Sequence, residues 1–247
     1  MNAIKTLTII DFKLFLREPI GTFFTLAFPI ILVLLFGSIY GNEPTDLFGG
    51  YGTMDISMPG YTALILTTVG LMNIPITMCS YREMGVLRRL KVTPLKPMSF
   101  ISGDLITNLG MTLLGMSFVV LLGWLLYRVR FEGQVIPLIL GVIYSSLAMF
   151  SIGYLIASLA PTARVANVVG LVLLYPMVFL SGAGMPLEIL PESMQNISKF
   201  LPLTYVVRLL RGLWFGLPAS ELWPSILVLG VILLICGLLS ARLFRWE

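Results

Sequence analysis

Six long apolar runs dominate the pattern of hydrophobic and polar positions along this chain. Each run is about 20 residues long or longer, which is the length that an α-helix needs to cross the hydrocarbon core of a bilayer. Charged residues lie only near the ends of the runs, as Asp104 does, because a charge in lipid is costly. The pattern predicts an all-α integral membrane protein with six transmembrane spans, at about 20–40, 58–80, 102–126, 137–160, 165–184 and 222–241.

Two shorter segments on one side of the predicted membrane also have helical patterns. Residues 1–19 mix apolar and charged positions, which indicates either an amphipathic helix in the membrane interface or a frayed terminus. In residues 82–93, Met84, Leu87 and Leu90 recur at helical spacing among basic residues, and Pro94 follows. This second pattern predicts a short amphipathic helix, with a basic anchoring loop as the alternative.

The segment between spans five and six has the wrong length for a simple loop and the wrong length for another span. Leu190 and Met194 begin a helical pattern around Pro191, and a second pattern begins near Thr204. Two half-length helices over 190–215 fit this segment. They can dip into the outer leaflet and return if neighbouring protein satisfies their ends, or they can lie flat on the surface.

Lysine and arginine are unevenly divided between the two sides of the predicted membrane. The N-terminal segment, the loops after spans two and four, and the C-terminal tail carry 11 of the 16 basic residues, and the other loops carry 5. Because loops rich in these residues stay in the cytoplasm, both termini are predicted to be cytoplasmic, with the chain in the inner (plasma) membrane. The basic residues therefore favour membrane orientation and not a nucleic-acid partner.

Composition excludes several classes of function. Only 11% of the residues are charged, against about 25% in soluble domains, so most of the chain is predicted to face lipid or other helices. The absence of histidine excludes Ser-His hydrolase chemistry and His-ligated metalloprotease chemistry. The two cysteines, Cys79 and Cys236, fall inside apolar runs and are expected to be free thiols.

Amides and prolines interrupt several spans, among them Asn73 and Pro75 in span two, Asn108 in span three and Pro176 in span five. Proline removes a backbone donor and bends a helix, and amides in lipid seek partners on other helices. These positions mark places where helices meet or open, and each one alone is more typical of packing than of ligand binding.

Two segments resemble the ABC type-2 exporter permeases, which include drug, antibiotic and polysaccharide export subunits. The run from Arg82 to Leu95 is similar to the family's first cytoplasmic loop, in which a Glu-x-Gly-x-Leu-x-Arg pattern leads to a Thr-Pro pair. The region before span six is similar through Phe179-Leu180-Ser181-Gly182, Met185-Pro186, Leu190-Pro191, Leu201-Pro202-Leu203-Thr204-Tyr205 and Arg211-Gly212.

The resemblance covers nearly the whole chain and implies a single type-2 domain over 1–247. This domain would contain an interfacial helix at 1–19, six spans, a coupling helix at 82–93 and external re-entrant helices at 190–215. It also implies a homodimer or heterodimer of permeases associated with two ABC ATPase subunits, with substrate passing between the permeases along spans one, two and five. The expected ATPase-coupling residues are Glu83, Gly85, Leu87, Arg88, Arg89, Leu90 and Lys91.

Two further groups of site residues follow from the same resemblance. The expected substrate pathway contains Phe28, Asn73, Thr77, Tyr175, Met177 and Phe179. The expected external re-entrant helices carry Leu190, Met194, Tyr205, Arg208 and Arg211. Within the coupling helix, Glu83, Arg88 and Arg89 are expected to make polar contacts with the ATPase, and Leu87 and Leu90 are expected to pack in its cleft.

The source of energy is expected to lie outside the chain. No Gly-x-x-x-x-Gly-Lys-Ser/Thr loop is present, so ATP and Mg²⁺ are expected on the partner ATPase, with no cofactor or metal held by this chain. The sequence therefore predicts an export permease for an amphiphilic drug, antibiotic or lipid-like substrate. The alternatives are a polysaccharide or lipid exporter of the same family, a secondary transporter or channel, a membrane enzyme and a scaffold.

Overall fold

Helical segments account for all the regular structure in the described part of the chain. The structure is a computed structural model that describes residues 23, 27–91, 97–184, 187 and 190–243. The helices in chain order are α1 (Phe28–Tyr40), a 3₁₀ turn (Asp46–Phe48), α2 (Thr53–Thr68), a π segment (Val69–Asn73), α3 (Ile74–Glu83), α4 (Val86–Lys91), α5 (Pro97–Tyr127), α6 (Val135–Leu159), α7 (Ala163–Leu180), α8 (Glu192–Ser198), α9 (Pro202–Trp214) and α10 (Ala219–Leu243). The predicted interfacial helix at 1–19 lies outside the described residues.

Five helical stretches of the described chain are long and apolar enough to cross a membrane. They are Thr53–Glu83, Phe100–Tyr127, Val135–Leu159, Ala163–Leu180 and Ala219–Leu243. These stretches correspond to the predicted spans two to six and indicate a multi-pass membrane protein. Helix α1 has 13 described residues, fewer than a span needs, and most of the predicted residues before it lie outside the described part. Six spans in total therefore stay a prediction.

The second span forms the centre of the bundle. Nearly every residue of α2 is buried, and the helix packs against α1, α5, α6 and α9. Small residues allow the closest approach to α6, because a Cβ atom added at Gly153 would lie 2.0 Å from the carbonyl oxygen of Gly70. Three threonine hydroxyls of α2 donate to carbonyls four residues earlier and so need no other partner: Thr62, Thr67 and Thr68.

The irregularity that Asn73 and Pro75 predict in span two is a π segment, Val69–Asn73. Pro75 lies in the first turn of α3 and has no N–H to donate to the carbonyl of Leu71, so the regular ladder is interrupted at this point. Asn73, the last residue of the segment, donates from Nδ2 to Oδ1 of Asn108 on α5 at 2.8 Å. This bond joins spans two and three inside the bundle.

The segment before the last span contains the two short helices that the sequence predicts. Helix α9 begins at Pro202, slightly before the predicted start, because proline is favoured in the first turn of a helix. It is buried against α2, α6 and α10, and its last carbonyl, that of Trp214, accepts from the N–H groups of Glu132 and Gly133 at 3.2 Å and 2.8 Å. Its depth in the membrane, and hence the re-entrant form, stays a prediction.

Contacts between loops define two ends of the bundle. At one end, the loop between α1 and α2, the loop between α5 and α6, and the end of α9 meet around the buried Asp55. At the other end, the turn after α3 meets the loop between α6 and α7. We call the second the basic end because it exposes Arg88, Arg89 and Arg164.

Candidate functional site

A sharp turn at the basic end sets α4 off from span two. Gly85 has a φ of +68°, in the left-handed region that favours glycine. Its N–H donates to the carbonyl of Arg82 at 3.0 Å, and its own carbonyl accepts from the N–H of Arg89 at 3.2 Å. Gly85 therefore ends one helix and begins the next, which makes α4 a separate short helix after the end of span two.

Helix α4 has an inner face and an outer face. Leu87 is only 1% exposed and lies in a hydrophobic cluster with Met78 and Phe100. Arg88 and Arg89 are exposed, and Met84 at the turn is 58% exposed. The outer face can therefore present two cations and a flexible thioether side chain to a partner, while Leu87 holds the helix to the bundle.

Arg82, in the last turn of α3, binds the end of α6. Its guanidinium donates to the carbonyl oxygen of Ala157 at 3.2 Å and to that of Ala160. In a continuous helix the carbonyl of Ala157 would accept from the N–H of residue 161, but residue 161 is Pro161 and has none. Arg82 thus supplies the missing donor and lies at the negative end of the α6 dipole.

Glu83, the next residue, binds the beginning of α7. Its Oε1 atom accepts from the N–H of Ala163, the first residue of that helix, at 3.0 Å. The N–H groups in the first turn of a helix have no partner within it, and a carboxylate there interacts favourably with the helix dipole. Thr162 caps the same helix by accepting from Val165 N–H at 3.2 Å, so one side chain from the end of α3 and one from the loop before α7 satisfy this helix start.

The expected ATPase-coupling residues fall into two groups: some contact other parts of this chain, and others are exposed. Glu83 accepts a hydrogen bond from Ala163 of this chain and Leu87 lies in its core, while contact of either residue with an ATPase stays a prediction. Gly85 forms the turn, and Arg88 and Arg89 are exposed. Leu90 and Lys91 belong to α4, but their side chains, like residues 92–96, lie outside the described part.

The expected substrate-pathway residues do not share one surface. Tyr175 and Phe179 are 53% and 64% exposed on one stripe of α7, whereas Met177 is buried in the core on another face of that helix. Asn73 is bonded to Asn108, as described above. Phe28 and Thr77 are half-buried. Of the six residues, only Tyr175 and Phe179 present a common exposed face.

The expected external residues lie around the two short helices. Arg208 and Arg211 border a small cavity beside Gly182 and Gly184, at the turn after α7. Tyr205 donates from its hydroxyl to the carbonyl of Lys199 at 2.8 Å, which ties α9 to the end of α8. Two further residues, Leu190 and Met194, stand before and within α8, and Met194 is 42% exposed.

Several buried polar contacts were not predicted from the sequence. Asp104, 4% exposed, accepts a hydrogen bond from the hydroxyl of Tyr154 at 2.6 Å, which links α5 to α6. Asp55, 1% exposed, lies where the loops meet at the end of the bundle opposite the basic end. For Arg82 the sequence predicts only a place in a basic loop. A charged residue within a turn or two of a span end was the available signal, but its partner is distant in sequence.

Comparison with known proteins identifies this arrangement of helices. The family described as ABC-2 type transporter matches residues 2–215, which is most of the chain. The chain belongs to this family. The match includes α4, the turn at Gly85, and both helices between spans five and six.

Three relatives of this chain are named as transport permeases. The chain is 26% identical over 190 residues to the probable multidrug ABC transporter permease YbhR of Escherichia coli (strain K12), covering 76% of this chain and 51% of that protein. It is 30% identical over 155 residues to the inner membrane transport permease YhhJ of the same strain, covering 61% and 41%. It is 24% identical over 253 residues to the putative transport permease YvfS of Bacillus subtilis (strain 168), covering 99% and 98%.

The chain spans about half the length of the first two relatives, or less, and almost the whole length of the third. Among the residues that the structure describes, no group of three or more Asp, Glu and Cys side chains is placed to hold a metal ion.

Proposed function

We propose that this ABC-2 family chain is the permease subunit of an ATP-driven exporter, and that a separate ATPase subunit drives it. The observation that carries the proposal is α4, a short helix set off by Gly85 at the end of the central span, with Arg88 and Arg89 exposed on its outer face. Such a helix is joined directly to the most buried span. A displacement of this helix by a partner outside the membrane would therefore be transmitted to the centre of the bundle. The basic end is accordingly cytoplasmic, with both termini on the same side.

The ATPase partner follows from the sequence as well as from the family. The chain has no Gly-x-x-x-x-Gly-Lys-Ser/Thr loop for nucleotide phosphates, so ATP and Mg²⁺ belong on the partner in this proposal. Two ATPase subunits would serve two permease copies. The contact surface on this chain consists of Arg88 and Arg89 on the outer face of α4 and of Met84 at the turn before it.

The pathway in this proposal lies between two permease copies, identical or different. Helix α7 exposes a continuous apolar stripe of Val168, Val172, Tyr175 and Phe179, and α1 exposes Ile31 and Leu35. These faces suit contact with lipid, with a second copy or with an amphiphilic substrate. An amphiphilic drug, antibiotic or lipid-like molecule fits an apolar surface that carries one phenol, and the name of the multidrug relative agrees with this class.

Transport requires that the ATP-bound partner bind one permease conformation more tightly than the other. In this mechanism, closure of the ATPase pair displaces α4, and α3 and α2 carry the displacement into the centre of the bundle. Because α2 is buried against four other helices, it cannot move without changing their packing. The free energy for the change comes from ATP binding to the partner.

Co-purification from the native host tests the proposal. The tagged chain is extracted in a mild detergent, and mass spectrometry identifies what accompanies it. We expect an ABC ATPase subunit in about one-to-one ratio, with ATP hydrolysis that candidate substrates stimulate. Recovery of the chain without any ATPase, together with transport in cells that lack one, would overturn the proposal in favour of a secondary transporter.

Charge reversal on α4 tests the contact surface. Arg88→Glu and Arg89→Glu are each expected to reduce ATPase association and transport at least tenfold while the chain still inserts into the membrane. Arg242→Glu, at the exposed last turn of α10, is the matched control for charge at the basic end and is expected to have little effect. Normal transport by both α4 variants would show that the ATPase binds elsewhere.

A further inference from the structure

The geometry points to a positioning role for Arg82 and Glu83: they clamp the base of α4 to the loop between α6 and α7, so that displacement of α4 moves spans four and five directly. We call the contacts of Arg82 with Ala157 and Ala160, and of Glu83 with Ala163, the junction clamp. The inference rests on the proposed function, in which α4 receives the push of an ATPase.

The junction clamp fastens two helix ends that their own loop satisfies only in part, through Thr162. The loop between α6 and α7 contains only Ala160, Pro161 and Thr162, and the proline has no N–H to offer. Arg82 therefore satisfies carbonyls at the end of α6, and Glu83 satisfies an N–H at the start of α7. Each contact places a charged side chain at the helix end whose dipole it complements, which strengthens the hydrogen bonds.

The position of the junction clamp along the chain determines which helices move when α4 is displaced. Arg82 and Glu83 immediately precede Met84 and the turn at Gly85, so they hold the base on which α4 pivots. Among the described side chains of α4 itself, Leu87 provides the packing against the bundle. Through the junction clamp, α3, α6 and α7 meet at one point, and the exposed face of α7, with Tyr175 and Phe179, moves with α4.

The role assigned to Glu83 differs from a contact with the ATPase, and Ala163→Pro separates the two. Proline at this position removes the N–H that donates to Glu83. Proline is well tolerated as the first residue of a helix. The preceding residue, Thr162, already has the extended conformation that proline requires, with φ −139° and ψ 158°. The variant therefore removes one hydrogen bond and leaves Glu83 free to bind a partner.

The first experiment compares variants in proteoliposomes that contain the chain with its ATPase. We expect Glu83→Ala and Ala163→Pro each to lower transport about tenfold while ATPase association and ATP hydrolysis stay within twofold, and the double variant to be no worse than either. Glu83→Gln keeps an acceptor oxygen and is expected to retain at least half of the transport. Glu43→Ala, which removes an exposed carboxylate at the opposite end, is the matched control.

Two results would overturn the junction clamp and leave the permease proposal intact. The first is loss of ATPase association in both Glu83→Ala and Glu83→Gln with normal behaviour of Ala163→Pro, which would make Glu83 a contact to the ATPase. The second is full transport by both Glu83→Ala and Ala163→Pro. Failure of the unaltered chain to associate with any ATPase would instead count against the proposed function.

A distance measurement tests the clamp without any ATPase. Spin labels at Arg88→Cys and Arg164→Cys, both exposed, report the separation of α4 from the start of α7 by pulsed electron paramagnetic resonance. Cys236 is replaced by Ser, and the buried Cys79 is left in place. We expect a narrow distance distribution that broadens in Glu83→Ala and in Ala163→Pro; an unchanged distribution in both would overturn the inference.

Discussion

The carboxylate of Asp55, at the start of the central span, accepts a hydrogen bond from the side chain of Asn42 at 2.9 Å. The same carboxylate accepts from the backbone N–H groups of Gly52 at 3.0 Å and of Arg130 at 2.8 Å. Asp55 is only 1% exposed, so three segments of the chain depend on one buried acidic group. A buried polar group is tolerated where several donors satisfy it, as they do here.

We therefore expect Asp55→Ala to destabilise the protein by about 3 kcal/mol, because three donors lose their acceptor. For a chain of this size the melting midpoint should fall by roughly 6–12 °C. A thiol-reactive dye that detects the buried Cys79 on unfolding gives the measurement. Asp46 is an exposed acidic residue of the same loop, so Asp46→Ala is the control. Its free energy of unfolding should stay within about 0.5 kcal/mol of that of the unaltered chain.

The amide pair between spans two and three should show a measurable coupling energy. Asn73→Ala and Asn108→Ala each break the 2.8 Å hydrogen bond, so the double variant should be less destabilised than the sum of the single variants. Polar pairs within membrane bundles couple by about 0.6–1.7 kcal/mol. A full double-mutant cycle of unfolding free energies measures this quantity, and strict additivity would contradict the pairing.

Gly85→Ala tests the turn before α4. The added methyl group would meet no atom of the described residues within 4 Å, so we attribute its cost to the φ of +68°. We expect a loss of about 1 kcal/mol in the free energy of unfolding. Gly110→Ala, inside α5 and equally free of close neighbours, is the matched control, and it should stabilise the protein slightly since alanine favours the helix.

Gly153→Ala tests the closest approach of spans two and four. Its Cβ atom would lie 2.0 Å from the carbonyl oxygen of Gly70, and a backbone atom cannot rotate away as a side chain can. The two helices must separate, which we expect to cost about 2–3 kcal/mol. Gly237→Ala in α10 meets nothing within 4 Å and provides the comparison. Equal melting midpoints for the two variants would contradict the packing described here.

The hydroxyl of Tyr51 gives a prediction of pH dependence. It donates to Oε2 of Glu132 at 2.9 Å, and this hydrogen bond raises the pKa of Tyr51 above its usual value near 10. A raised pKa means that the stabilisation is present below pH 10 and is lost as pH rises through the raised value. The difference in melting midpoint between the unaltered chain and Tyr51→Phe should be constant from about pH 7 to 9 and should shrink above pH 10.

Tyr40→Phe serves as the control for the same titration, because Tyr40 is an exposed tyrosine at the end of α1. A constant difference for Tyr51→Phe above pH 10 would show that the hydrogen bond to Glu132 contributes nothing.

The sequence alone determined the all-helical class, the bounds of most spans to within a few residues, and the family. The predicted span at 137–160 is Val135–Leu159, and the one at 222–241 is Ala219–Leu243. This success has a local cause: a helix in lipid satisfies its backbone hydrogen bonds within its own residues, so the apolar run itself sets the bounds. The two short helices before the last span were similarly predicted from their prolines and their periodicity.

Tertiary structure decided where span two begins and what its charged ends bind. The sequence predicted a start near residue 58, but the helix begins at Thr53 because Asn42 and Arg130 satisfy the buried Asp55. At the other end, Glu83 finds its partner in Ala163, 80 residues later. Periodicity shows which residues share a face of a helix, but it does not show which neighbouring helix covers that face. The burial of Leu87 and the hydrogen bond between Glu83 and Ala163 therefore depend on how the helices pack.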